Sequence, residues 1–267
     1  NEFDVIGSYN LRDPQLSSIR SLKLDVSEFD LVKETLINFA PDIVVNTCSI
    51  NNVDFCEKNK QHAMLINTDF VKLISKVCDS ISSKLVQLSS DSVFDGNKDT
   101  PYTEEDSPKP INQYGYTKML SEKETLVNPN NLVIRVSVLY GWLIKSLLHK
   151  PSSSFKPYNF GVWLIEQLRA KQKVSVINDE YSSPIIADDF ANSILHLIKQ
   201  NNSGIFHAAP KIKIIRYDFS VRLANYLDLN SKLIVPVSTK QLGRTVETGF
   251  NKCLNSDKMT NETGLRF

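Results

Sequence analysis

The sequence predicts an α/β fold, a doubly wound parallel sheet with a small C-terminal lobe. Three observations carry that prediction. Short apolar runs alternate with longer segments of helical period from residue 3 to about residue 206, and strands separated by helices form βαβ units whose crossovers make the sheet parallel. Several of those runs stop abruptly at hydroxyls, acids and amides, and the carboxyl ends of parallel strands are where such sheets bind ligands. After Pro210 the alternation ends, and an amphipathic helix over 215–227 gives way to a polar, irregular tail over 233–267.

The strand candidates are 3–8, 42–46, 84–89, 132–136, 174–177 and 204–208, each short, apolar and bounded by turn-forming residues. Helical spacing predicts helices over 29–39, 58–80, 113–126, 159–171 and 188–199. Residues 141–158 contain HKPSSSFKP, too rich in Ser, Pro and Lys for either element, and read as a long loop whose composition suits ordering on substrate binding. The division that follows is a nucleotide-binding part over 1–141 and 172–209 and a substrate lobe over 142–171 and 210–267. A cleft between the two is the natural ligand site.

At 267 residues and 41% hydrophobic the chain supports one substantial core, since single cores stop growing at about 250 to 300 residues. With 31 basic and 30 acidic residues, no charge surplus marks a nucleic-acid or membrane-surface protein. The cysteines, Cys48, Cys56, Cys78 and Cys253, are scattered without pairing motifs or a leader, which fits reduced thiols and a cytoplasmic setting. No metal-ligand spacing appears among them or the histidines. No apolar run reaches the ~18 residues of a membrane-spanning helix.

Chemistry concentrates in three stretches. SSDSVFDG follows the 84–89 strand, NTCSINNVDFCE follows 42–46, and LDVSE follows a further short apolar stretch, so all three begin at carboxyl ends of one sheet. In INQYGYTKMLSEK, Tyr114 and Lys118 share one helix face a turn apart. Pro108 and Pro110 block helix upstream, and Asn112 suits the N-cap. An ammonium beside a phenol in a desolvated cleft favours the phenolate and lowers the tyrosine pKa toward the range of acid–base work. Alone, the pair reads equally as an ordinary Tyr and Lys on a helix surface. Cys48 and Cys56 read as small buried residues, Glu104, Glu105 and Asp106 as a solvated loop, Arg135 as structural and His207 as a core histidine.

The motifs LDVSE, PDIVVNTCSINNVDFCE, LINTD, QLSSDSVFDG, PYTEEDSPKPINQYGYTKMLSE, VIRVSVLYG, INDEYSSPIIADDFA and GIFHAAP, in that order over about residues 3–224, resemble the extended short-chain dehydrogenase/reductase superfamily and, within it, the dTDP-4-dehydrorhamnose reductase family. The resemblance implies a Rossmann domain and NAD(P)H-dependent reduction of a 4-keto-6-deoxy sugar nucleotide. In that scheme Ser90 hydrogen-bonds the substrate carbonyl, Tyr114 gives it a proton, and Lys118 tunes Tyr114 and holds the nicotinamide ribose. Asp25 and Val26 would lie beside the adenine, Thr47, Cys48 and Ser49 along the cofactor, and Asn67 and Ser89 near its nicotinamide half. Asp91 would touch the sugar. Ser8, Asn10 and Arg12 suit a 2′-phosphate, which makes NADPH the expected cofactor, with NADH the alternative if Arg12 is a solvated loop residue. A homodimer is compatible with the sequence but not required by it.

The chain also departs from that family. No Gly-rich phosphate-binding turn occurs, and the chain opens at Asn1 directly on FDVIGSY, which reads as a strand inside a domain whose first strand and Gly-rich turn lie upstream. Ser92 stands where the family usually has tyrosine, and Val138 where it often has tryptophan, which leaves the sugar pocket roomier. The family's Arg-Pro pair falls at Thr248 and Gly249, ahead of Leu254 and Asn255. The methionine adenosyltransferase regulatory β subunit resembles the same motifs without needing turnover, so a non-catalytic NADP-binding subunit is the competing reading. An epimerase or dehydratase is a further one, and requires another acid or base near Ser90.

Overall fold

Leu132–Val136 is buried at every position, as a strand covered on both faces must be, and the central sheet is built around it. The computed structural model describes residues 3–11, 13, 19–142 and 159–267. The first half runs β1 (Ile6–Tyr9), β2 (Arg20–Lys23), α1 (Phe29–Phe39), β3 (Ile43–Asn46), α2 (Val53–Lys58), α3 (Lys60–Met64), α4 (Phe70–Ser80), β4 (Lys84–Ser90), α5 (Gln113–Thr125), β5 (Leu132–Val136) and β6 (Leu139–Tyr140). The second runs α6 (Phe160–Arg169), β7 (Val174–Ile177), β8 (Tyr181–Ser182), β9 (Ile185–Ile186), α7 (Ala187–Lys199), β10 (Gly204–Ala208), β11 (Ile214–Ile215), α8 (Arg216–Tyr226), β12 (Ile234–Val237), β13 (Asn251–Lys252) and α9 (Asp257–Thr263).

The central sheet has the order β10-β5-β4-β3, every pairing parallel. Alternation along β4 sends Leu85 and Val86 to opposite faces. Leu85 packs with Val32 of α1 and Phe70, Val71 and Ile74 of α4, whereas Val86 packs with Leu132, Ile134, Phe190, Leu197 and Met259. Each such side chain contributes about 1.5–3 kcal/mol on full burial, so helices are required on both faces. That is the doubly wound arrangement the alternation predicts.

Several elements differ from the sequence reading. The first strand is Ile6–Tyr9, and it pairs with Arg20–Lys23, a strand too short and too basic to show an apolar period. Together β1 and β2 form a separate parallel pair, joined to the rest by Leu22, Leu24 and Val26 packing into the cluster around Leu85. The helix expected over 58–80 breaks at Asn59, whose φ of −126° and ψ of 56° are not helical, and widens into a π-turn at Leu65–Asp69. Residues 174–177, expected among the strands of the main sheet, pair instead with Ile234–Val237, and α6 and α8 cover them through Leu164, Leu168 and Ala224. Nor is the tail irregular. β13 joins β8, and α9 carries Met259 into the central core. Beyond Trp142, the loop read at 141–158 lies outside the described residues.

Candidate active site

Strand β4 runs fully extended to Ser90 and then turns tightly over Asp91–Val93. The turn is held by Ser90 itself, whose Oγ accepts from the Ser92 N–H at 3.2 Å. Asp91 is buried beneath it and accepts from the hydroxyls of Ser90 (3.0 Å), Ser92 (3.1 Å) and Ser137 (2.8 Å). Burial pushes its carboxyl up, while Lys252 and those three hydroxyls pull it down. The polar end of the strand is therefore a fixed cradle around Ser90 rather than a surface loop.

Helix α5 brings the second half of the site. Asn112 caps it, accepting from the Gly115 N–H at 2.9 Å, and Gly115 lets its first turn ride on the Ser92 backbone. A Cβ at Gly115 would lie 2.0 Å from the Ser92 carbonyl oxygen and 2.9 Å from its carbon. That close approach seats Tyr114 against the turn after β4, where the Ser90 and Ser49 hydroxyls act on its phenol. Gly115→Ala is accordingly expected to cost at least the ~1–3 kcal/mol of an overpacked core and, by displacing Tyr114, on the order of 10²-fold in any activity that depends on it. Thermal melts and rates on the same preparation check both.

One turn further on, Lys118 is 3% exposed and donates from Nζ to the Leu88 carbonyl at 2.5 Å. Burial brings its pKa down to about 8, against the upward pull of Glu122 and Cys48. Burial likewise pushes Tyr114 up to about 12, which reverses the sequence expectation of a lowered phenol. Desolvation outweighs the Ser90 and Ser49 hydroxyls, and Asp91 and Cys56 push the same way as burial. The phenol is protonated at neutral pH and poised to donate.

A further turn brings Glu122, which meets Arg135 from β5 through two bonds of 2.9 and 2.8 Å. Arg135 continues to His207 Nε2 at 3.3 Å and stacks 5.0 Å above the Phe94 ring. Ser89 donates to Glu122 at 2.5 Å, so its hydroxyl is turned into the core and not toward a cofactor. Asn67 is also spent internally. Its amide clamps Ile50 and Ser49 on one side and Thr117 on the other, pinning the loop after β3 to α5.

The remaining predicted positions spread along the carboxyl edge. Thr47, Cys48 and Ser49 follow β3, Thr47 exposed and the others half-buried. Asn10, just past β1, donates to Asp25 Oδ2 at 3.4 Å. Asp25 is held below the usual carboxylate range by the backbone and hydroxyl of Ser27. Ser8 is exposed in β1 and Val26 half-buried, and Arg12 lies outside the described residues. Burial pushes the Cys48 and Cys56 thiols up, as inert thiols require. Glu104 and Asp106 are half-buried and partnered rather than free in a solvated loop: Glu104 accepts from the His207 N–H at 2.7 Å, and Asp106 holds Lys98 at 2.6 Å. Among the described residues no cluster could hold a metal ion.

Among these elements opens a cavity of about 150 Å³ whose lining includes Asp91, Ser92, Tyr114 and Val138. The same cavity is lined by Glu180, Arg216 and Lys252, which the sequence reading missed. Glu180 sits in the quoted stretch INDEYSSP, but Arg216 and Lys252 sit in a helix start and a tail with no local motif.

Residues 4–267 match the model of the RmlD substrate binding domain. The chain belongs to this family. Among relatives, the RmlD-type chain is 28% identical over 261 residues to the probable low-salt glycan biosynthesis reductase Agl14 of Haloferax volcanii, spanning 97% of this chain and 84% of that protein. It is 27% identical over 255 residues to the dTDP-4-dehydrorhamnose reductase of Escherichia coli, 90% and 80%, and 25% identical over 266 residues to methionine adenosyltransferase 2 subunit beta of Danio rerio, 97% and 77%. The fold matches a hypothetical dTDP-4-dehydrorhamnose reductase from Sulfolobus tokodaii at TM-score 0.84 and 28% identity, 97% and 86% covered. The dTDP-4-dehydrorhamnose reductase of Bacillus anthracis in complex with NADP matches at TM-score 0.84 and 22% identity, 98% and 93% covered. The RmlD-type fold is therefore established over nearly the whole chain. No described helix is long and apolar enough to cross a membrane.

Proposed function

We propose that this chain is a reductase that uses NADPH to convert the ketone of a 4-keto-6-deoxy sugar nucleotide, with a dTDP-linked sugar as substrate, into an alcohol. The observation that carries the reading is the Tyr114 phenol, protonated and lining the same cavity as Asp91 and Ser92, with the buried Lys118 ammonium one turn behind it on α5. The relatives' names, reductases of keto sugars, agree with it.

The residues present fit a nicotinamide cofactor. Among the described residues the only hydrogen-bond acceptor for the buried Lys118 ammonium is Leu88, which leaves donors for a ribose hydroxyl. At the far end, the ionised Asp25 carboxylate suits an adenine amino group. Bound there, the cofactor supplies the hydride. Ser90, whose hydroxyl is given to Asp91 in the structure, would turn that one proton to the carbonyl oxygen when substrate enters. Tyr114 gives that oxygen its proton, and Lys118 stabilises the phenolate left behind. Thr47, Cys48 and Ser49 line the path between, and Arg12 is the residue on which the preference for NADPH over NADH rests.

The reading is tested by the loss of reduced-nicotinamide absorbance on adding dTDP-4-keto-6-deoxyglucose. Steady oxidation supports it, and none, with cofactor bound, removes it in favour of a binding subunit of the kind the methionine adenosyltransferase relative represents. A pH profile tests the roles. Below about pH 8 Lys118 is charged and Tyr114 protonated, so kcat/KM is expected to be level. Above it the ammonium is lost and the rate falls by about tenfold per pH unit. Lys118→Met should lower the plateau and remove the inflection.

A further inference from the structure

Across the central sheet, Ser89 of β4, Arg135 of β5 and His207 of β10 stand directly opposite one another, a polar row flanked on β5 by the buried, apolar Ile134 and Val136. Glu122 meets this row from α5. Its Oε1 accepts from Ser89 at 2.5 Å and from Arg135 Nε at 2.9 Å, and its Oε2 accepts from Arg135 again at 2.8 Å. The far end of the row is neutral. His207 Nδ1 lies 3.2 and 3.1 Å from the carbonyls of Tyr102 and Asn255 and so carries the proton, Nε2 is left to accept from Arg135, and burial pushes the imidazole down to about 3. Glu122 and Arg135 therefore carry the row's charge, both almost fully buried. Such a pair contributes little stability beyond what well-packed apolar residues would supply, so packing alone does not account for it.

Helix α5 carries a second buried cation. Lys118 lies four residues before Glu122, one turn away on the same helix face, and besides burial the groups that act on its ammonium are Glu122 and Cys48. The Cys48 thiol, in the loop after β3, is itself pushed up by burial and neutral. Tyr114, one turn earlier on α5, is protonated, and β4 presents the Leu88 carbonyl. One carboxylate thus serves two buried cations, bonded to Arg135 and acting on Lys118 through space.

We infer that Glu122, fixed by Ser89 and Arg135, is a positioning residue of this centre and supplies the counter-charge of the buried Lys118 ammonium. That role rests on the reductase reading for the use made of the charge. Once Tyr114 has given up its proton, the phenolate needs a cation beside it, and burial by itself drives a lysine neutral. Glu122 opposes that drive. Leu88 remains the bonded acceptor of the ammonium, so Glu122 acts by its charge and not by a contact, and its bonds to Ser89 and Arg135 keep that charge in one place.

Titration of Lys118 by NMR tests this without turnover. In protein carrying carbon-13 at the lysine ε carbons, the Lys118 resonance is the one missing from Lys118→Met. Its inflection in the wild type is expected at about 8, well below the ~10.4 of an ordinary lysine. In Glu122→Gln, an isosteric change that removes the charge, it is expected about one pH unit lower, and the alkaline fall in kcat/KM should move with it. Glu122→Asp, which retains a carboxylate, should recover part of the difference. Should Glu122→Gln fail to fold, Glu122→Leu combined with Arg135→Met removes both charges of the pair. The inflection is expected to move in the same direction there, since Arg135 is not among the groups that act on Lys118. A residue that only braced α5 would lower the melting temperature and the rate plateau and leave the inflection where it was, and an unmoved inflection in these variants overturns the inference. The two readings fail separately. A shifted inflection in a protein that reduces no ketone sinks only the reductase reading, and ketone reduction with an unmoved inflection sinks only the role of Glu122.

Discussion

Replacing Tyr114 with phenylalanine is expected to lower kcat for ketone reduction by about 10²–10⁴-fold, the usual contribution of a general acid, while cofactor affinity changes little. The substitution deletes one oxygen. It keeps the ring in its place on the first turn of α5, where Gly115 meets Ser92, and leaves the Asp91 cradle intact. What disappears is the proton delivered to the carbonyl oxygen, since burial holds that phenol protonated, at about 12. Ser90 alone cannot supply the proton, because its own hydroxyl would have to ionise. Measuring kcat and KM separately distinguishes this from a binding defect: the loss should fall on kcat.

The second large effect is structural. Arg135→Met is expected to destabilise the protein by about 3–5 kcal/mol, the cost of leaving one partner of a buried ion pair uncompensated. Arg135 and Glu122 are 1% and 4% exposed, and after the substitution Ser89 is the one hydrogen-bond donor left to the carboxylate among the described residues. For a chain of this size each kcal/mol is worth about 2–4 °C, so melting should fall by about 6–20 °C. Combining Arg135→Met with Glu122→Leu should restore much of the loss, because the double variant removes both charges of the pair. Full additivity of the two losses would contradict the pairing.

The central fold was legible because its strands are long enough and apolar enough to show. Leu132–Val136 and Gly204–Ala208 announce themselves, and Asn112 and Gly115 mark the start of α5. Arg20–Lys23 was not legible, since half its residues are basic and its stabilisation comes from pairing with β1. Val174–Ile177 was legible as a strand but not as a partner of Ile234–Val237, because nothing local to a strand says which sheet it joins. In the site, Tyr114, Lys118 and Ser90 stood out through motif and spacing. Ser89 and Asn67 lie in the same motifs, but whether a hydroxyl or amide points to the cleft or the core depends on tertiary partners, here Glu122, Thr117 and Ile50. Arg216 and Lys252 were invisible for a related reason. They are far apart in sequence, and only the folding of β13 against β8 and of α8 after β11 brings them to one cavity.

Transfer of deuterium is the most direct test of the central claim. With reduced nicotinamide deuterated at carbon 4 and dTDP-4-keto-6-deoxyglucose as substrate, the account predicts deuterium on sugar carbon 4, one for each cofactor oxidised, and its near disappearance in Tyr114→Phe. A wild-type protein that binds both molecules yet leaves the sugar unlabelled would contradict it.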